Sequence, residues 1–173
     1  MKPQDIVVIL KIQSLNDKAA NSSVVSWPQR FLAEEIGLSQ SEVSAACHRL
    51  KEVRLLIFDG RVMRPSLLEF LVHGLKYVFP AKIGKTESGM PTGYATEPLR
   101  GMFLASANEP PPVWPDANGT VRGLALQPLY ESVPWAAKKD QTLYEYLALV
   151  DAIRSGRARE RNMAIEILQQ RLR

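Results

Sequence analysis

Cysteine and histidine are nearly absent: Cys47 is the single cysteine in 173 residues, and His48 and His73 are the two histidines. One thiol forms no intrachain disulfide, and three such side chains are too few for a cysteine-rich zinc site, so neither staple is expected and no cofactor is. Long apolar runs are missing as well. The longest, such as Ile6 to Leu10, are far short of the ~20 residues that cross a bilayer, and Met1-Lys2-Pro3-Gln4-Asp5 offers no apolar signal core. A cytoplasmic protein without membrane contact is the expectation. The chain also carries little excess charge, +4 with a pI near 9.3, which favours a polyanionic partner without requiring one.

Proline and glycine divide what is there into three zones. Residues 1–65 have helical periodicity with only Pro3, Pro28 and Pro65. Residues 66–135 open with an apolar helix over Leu67 to Val78. They then hold the other nine prolines within 79–134, a density that forbids a long helix and predicts ordered loops with short strands. Residues 136–173 are proline-free and predict two amphipathic helices broken at Gly156, with stripes Leu143, Tyr146, Leu147, Val150, Ile153 and Ala164, Ile165, Leu168, Leu172. Such stripes at a terminus suit dimerisation or the docking of a partner protein. The Lys/Arg to Asp/Glu counts are nine to seven, five to six and eight to five across the three zones, so the excess lies in the helical ones.

Within the first zone, a helix from Pro3 to Leu15 presents Ile6, Ile9 and Leu10, with Lys11 and Gln13 expected off that stripe. After a polar connection from Asn16 to Ser23, Ser26-Trp27-Pro28 opens a second helix with Phe31, Leu32 and Ile36 on one face, and Gly37 stops it. Ser39 then caps a third helix, with Glu42 at the capping-box spacing. Val43, Ala46, Cys47 and Leu50 form its inner face, and Cys47 there reads as a core residue. Its outer face carries Ser41, Ser44, Ala45 and His48, with Gln40 at the tip. Small polar residues allow close approach to a surface, and their amides, hydroxyls and imidazole suit base edges or phosphates. Leu55 to Pro65 contains Asp59-Gly60 between apolar runs, a hairpin signal, with Arg61 and Arg64 beside the tip where a wing would meet phosphates or the minor groove.

Helix, turn, helix and basic hairpin make a winged helix-turn-helix. The run Phe31-Leu32-Ala33-Glu34-Glu35-Ile36-Gly37-Leu38-Ser39-Gln40-Ser41-Glu42-Val43-Ser44, followed by Arg49-Leu50 and Leu55-Leu56, resembles the DNA-binding core of MarR-type winged-helix transcriptional regulators over about a third of the chain. The resemblance implies that Ser39 to Val53 enters the major groove, that Ile57 to Met63 is the wing, and that a symmetric dimer binds a palindromic site. The chain departs from the family in having Ala45 where a basic residue is common, Arg54 where glycine is common, and a shorter hairpin.

Two further features bear on chemistry. Gly84-Lys85-Thr86 fails as a phosphate loop, because the glycine required five positions earlier is Phe79. Lys82 and Lys85 are instead candidate contacts to the DNA backbone. No Ser-His-Asp set, Cys-His pair or metal-ligand spacing is present, so no enzyme activity is expected. Trp114 and Trp135, each beside proline, read as clamps that tie the loop-rich zone to the core.

The expected fold is therefore mainly α with a small β wing: a winged helix-turn-helix at 1–65, a linking helix and Pro/Gly-rich segment at 66–135, and a helical dimerisation or partner-binding segment at 136–173. The expected function is sequence-specific binding of double-stranded DNA by a homodimeric regulator, most simply a repressor. Ser39, Gln40, Ser41, Ser44, Ala45, His48, Arg49, Arg61, Arg64, Lys82 and Lys85 are its candidate contacts. The alternative is an antitoxin-like protein that binds and neutralises a partner toxin, with or without DNA.

Overall fold

In the computed structural model, which describes residues 1–19, 26–103 and 109–173, helix α1 (Pro3–Lys18) begins where Pro3 suits a first turn. The expected stripe is buried, but so is every residue from Asp5 to Leu15, Lys11 and Gln13 included. A second apolar row, Val8, Ile12 and Leu15, lies on the opposite side in helical projection, and a helix apolar on two sides is packed from two sides. The part of the polar connection from residue 20 to 23 lies outside the described residues.

Helix α2 (Gln29–Ile36) buries Leu32, Ala33 and Ile36 and leaves Phe31 on the surface. It ends at Gly37, whose φ of 68° is the left-handed closure that glycine tolerates best, with the Leu38 N–H donating to the Ala33 carbonyl at 3.1 Å. Helix α3 (Gln40–Glu52) buries the four expected residues, Val43, Ala46, Cys47 and Leu50. Beyond it the expected wing strands reduce to a single antiparallel bridge between Leu56 and Val62. Ile57 N–H donates to Arg61 O and Gly60 N–H to Ile57 O, both at 3.0 Å, so the loop is Phe58-Asp59-Gly60 with Gly60 at φ 91°, not a two-residue Asp-Gly turn. The arms stay short because Pro65 starts the next helix. That helix runs as α4 (Arg64–Glu69), a π turn (Phe70–Gly74) and α5 (Leu75–Val78), burying Leu67, Leu71 and Leu75 at steps of four.

The chain is thus mixed α/β, and its named strands come from the proline-rich zone. Strand β1 (Ile83–Pro91) runs antiparallel to β2 (Pro112–Pro115) and to β3 (Val121–Leu126), which pair in parallel, closing a small three-stranded barrel. Gly89 faces both Pro115 and Val121 where β1 passes from one partner to the other. A Cβ there would lie 2.1 Å from the Trp114 carbonyl oxygen, so only glycine allows three backbones to meet so closely.

Three helices complete the fold: α6 (Val133–Lys139), α7 (Gln141–Ser155) and α8 (Ala158–Arg171). Helix α7 lies inside. Leu143, Tyr146, Leu147, Val150 and Ile153 are at most 1% exposed, and α7 packs on α1 and α8, while Ala164, Leu168 and Leu172 of the last segment are buried too. Apart from half-buried Ile165, the terminal stripes expected to serve dimerisation or partner docking are thus packed within the chain, and one apolar core extends from Ile6 to Leu172 through all three zones.

Buried polar groups on α7 bolt the other layers to it. Asp151, 1% exposed, accepts from Trp114 Nε1 at 2.6 Å, Thr92 Oγ1 at 2.9 Å and Arg154 Nη1 at 2.7 Å. Burial pushes its carboxyl up from the usual range, against the pull of those three donors. Arg154 Nε in turn donates to the Phe79 carbonyl at 2.9 Å, and the Tyr144 hydroxyl to the Pro91 carbonyl at 2.6 Å. Trp114 is therefore a clamp, as its prolines suggest. Trp135 is not a buried one: it is 44% exposed, lies against Gly37, and has the Lys139 ammonium 3.8 Å from its ring centre.

Candidate nucleic-acid interface

Helix α3 is held from behind and open in front. Its inner face packs on α1 and α2, and its start is fixed by Ser39. The Glu42 N–H donates to Ser39 Oγ at 3.2 Å, and the Glu42 carboxylate accepts from the Ser39 N–H at 2.9 Å, both halves of the expected capping box. The backbone N–H and the hydroxyl of Ser39 hold the Glu42 carboxyl below the usual range. This end of the helix thus carries its own anion, which lowers its appeal to a phosphate relative to the bare dipole the sequence suggests.

On the outer face Gln40, Ser41, Ser44, Ala45 and His48 are all exposed. His48 makes only a surface contact with Glu52, Nδ1 to Oε1 at 3.4 Å. Later segments approach this helix but stop at its edge. The Tyr130 hydroxyl faces Glu42 Oε1 at 3.4 Å, and Ser132 and Trp135 lie over Gly37 in the turn. The open face therefore presents two hydroxyls, an amide, an imidazole and a methyl, and among the described residues no other side chain is laid across it.

The three arginines expected to meet DNA beside this face, Arg49, Arg61 and Arg64, divide unequally. Arg49 does not face outward: Nε and Nη2 hold the two oxygens of Asp5 at 2.8 and 2.6 Å, and Asp5 is fully buried, so this pair joins α3 to α1. Arg61 is exposed but turned back on its own loop, with Nε 2.7 Å from Asp59 Oδ2. Arg64 points to the chain's end, donating to the Arg173 carbonyl at 3.3 Å with Asp17 at 3.7 Å. Lys82 and Lys85 stand exposed at the start of β1, not on the helical module. Lys82 shares a shallow hollow with Gln127, Glu131 and Pro134, the last two beside the residues that lean on Gly37 and Glu42.

A feature the sequence reading missed adjoins α3. Between the start of α2, the second half of α3 and the hairpin is a hollow of about 80 Å³, its rim formed by Ser26, Trp27, Gln29, Lys51, Phe58 and Gly60. Phe58 at the hairpin tip is 93% exposed. The signal was its place in the loop, directly before Asp59-Gly60, where a side chain has no neighbour to pack on. Cys47 lies on the floor of this hollow at 8% exposure, and burial pushes its thiol up, as befits a core residue.

Among the described residues no group of three or more His, Cys, Asp or Glu could hold a metal ion, and no helix is long and apolar enough to cross a membrane. Comparison with protein-family models, with curated proteins and with solved structures finds no match for this chain.

Proposed function

We propose that this protein is a sequence-specific DNA-binding transcriptional regulator with a winged helix-turn-helix, in which α3 enters the major groove. One observation carries the reading: the outer face of a serine-capped helix, Gln40, Ser41, Ser44, Ala45 and His48, is left open while the helix is fixed from behind. An uncharged, short-chained face lets the backbone come close to base edges, where hydroxyl and amide groups discriminate among them. The resemblance of residues 31–56 to the MarR-type core supports the same assignment. Arg49 takes no part in base contact, since moving it would strand buried Asp5. Lys82, Lys85 and Arg61 remain for the phosphates, Arg61 after exchanging Asp59 for an anion of the duplex.

Repression as a dimer on a palindromic operator follows from the same resemblance, with the dimer surface away from the buried stripes of α7. The antitoxin-like reading, which rests on the Pro-rich zone and the terminal helices, is less favoured because most of the apolar stripe residues of those helices are packed inside. The deciding experiment is a salt-dependent gel-shift series with the protein's own promoter against a random duplex, for the parent chain and Ser44→Glu. Preference for the promoter, lost in Ser44→Glu, is expected. Equal binding to both duplexes, unaffected by Ser44→Glu, would refute the assignment.

A further inference from the structure

The hairpin after α3 neutralises its own charge and holds one aromatic side chain in water. Asp59 accepts from the Arg61 backbone N–H at 3.0 Å and from its guanidinium at 2.7 Å, so the tip presents an internal ion pair. Beside that pair stands Phe58, 93% exposed, at a corner that most residue types would fill. The mount is stiff. Two backbone bonds of 3.0 Å close the loop around Ile57, the Met63 N–H donates to Leu55 O at 2.9 Å, and Gly60 supplies the left-handed turn. The ring contributes little to the core and stands on a fixed support, free to enter a partner.

We propose that Phe58 is an apolar wedge, inserted from the minor groove between two base pairs at a flexible pyrimidine–purine step such as TA, and that it kinks the duplex beside the stretch read by α3. This rests on the reading of α3 as the DNA-facing helix and adds to it a requirement on the DNA itself. Two observations favour a base step over other occupants. Phe58 shares its hollow with Lys51 of α3 and Gln29 at the start of α2, so the tip continues the surface of the open helix face. The charges around it, Lys51 and an Arg61 already balancing Asp59, leave a local excess of positive sign, complementary to phosphates on either side of a step. Apolar wedges kink DNA in this way, and pyrimidine–purine steps unstack most readily.

The test uses a duplex of the protein's own promoter with 2-aminopurine placed at each TA step in turn, and the full chain as parent, Phe58→Ala, Phe58→Leu and Ser44→Glu. Binding by the parent should raise the fluorescence several-fold at one step. Phe58→Ala should abolish that rise and weaken binding about tenfold, Phe58→Leu should restore part of the rise, and the circular dichroism of both should match the parent. Promoter-specific binding that Ser44→Glu removes, but with no fluorescence rise or with a rise that Phe58→Ala leaves intact, overturns the wedge while α3 stands. A parent chain that binds promoter no better than random duplex removes α3 and the wedge together. Loss of self-association in Phe58→Ala, with DNA binding unchanged, assigns the ring to a second protein copy and likewise overturns the proposal.

Discussion

Asp140→Asn changes one atom in a nearly closed cluster and leaves the shape of the side chain intact. The Asp140 carboxylate, 1% exposed, accepts from Lys11 Nζ at 2.7 Å, Lys18 Nζ at 2.5 Å and Ser14 Oγ at 2.9 Å, and caps α7 through the Leu143 N–H at 3.1 Å. Asparagine serves as well as aspartate at a helix start, so the cap survives and the loss is that of the charge. Lys11, also 1% exposed, then keeps only Glu35 at 2.8 Å. Removing one partner of a buried ion pair costs about 3–5 kcal/mol, and the surviving Glu35 sets the expectation near the lower bound, about 3 kcal/mol. For a chain of this length that is a fall in Tm of roughly 6–12 °C. Urea unfolding followed by tryptophan fluorescence and far-ultraviolet circular dichroism reads it directly. Adding Lys11→Met removes the stranded ammonium, and the double variant should be more stable than the sum of the two losses by ~1–3 kcal/mol. Burial would push the Asp140 carboxyl up, but the donors from Lys11, Lys18, Leu143 and Ser14 outweigh it and hold the group well below the usual range. A depressed native pKa stabilises above the ordinary value of 3.8 and loses that contribution as pH falls toward the native one, so the gap between parent and Asp140→Asn should be constant from about pH 8 to 5 and shrink below about pH 4. A cost under about 1 kcal/mol at pH 7, or strict additivity of the two substitutions, would refute the argument that this cluster joins α1, α2 and α7 as a unit.

Two other perturbations separate architecture from interface. Arg49→Ala should lower stability by about 3 kcal/mol, because Asp5 is left buried without its bidentate partner, and the affinity of the folded fraction for DNA should change less than about threefold; a large affinity loss at unchanged stability would instead return Arg49 to the interface. Gly89→Ala should cost more than about 3 kcal/mol, since its Cβ would sit 2.1 Å from a carbonyl oxygen, whereas Gly101→Ala, with nothing within 4 Å but a φ of 79°, should cost about 1 kcal/mol; thermal melts of similar midpoint for the two would contradict the packing described for β1.

Local rules reached the helices of the first zone because their signals are local. Ser39 with Glu42, Gly37 after Ile36, and Val43, Ala46, Cys47 and Leu50 at steps of three and four need only neighbours within two turns, and the structure has each of them where the spacing puts it. The break of the last zone at Gly156 is of the same kind. The hairpin was legible as a turn but not in its extent, since the length of its arms depends on where Pro65 begins the next helix. The candidate face of α3 was legible as a row of side chains, whereas whether anything covers it was not.

What the amino-acid sequence alone determined is the set of elements with periodic or capped patterns, together with the small polar character of the α3 outer row. Only the tertiary structure decided that Arg49 belongs to Asp5, that Lys11 and Lys18 converge on Asp140 more than 120 positions away, and that α7 is a central helix and not a free terminal one. Periodicity says that a face is apolar but not what lies on it, and a charge shows its sign but not its partner. Those choices are made by contacts between residues far apart along the chain, where burial and pairing are properties of the assembled core.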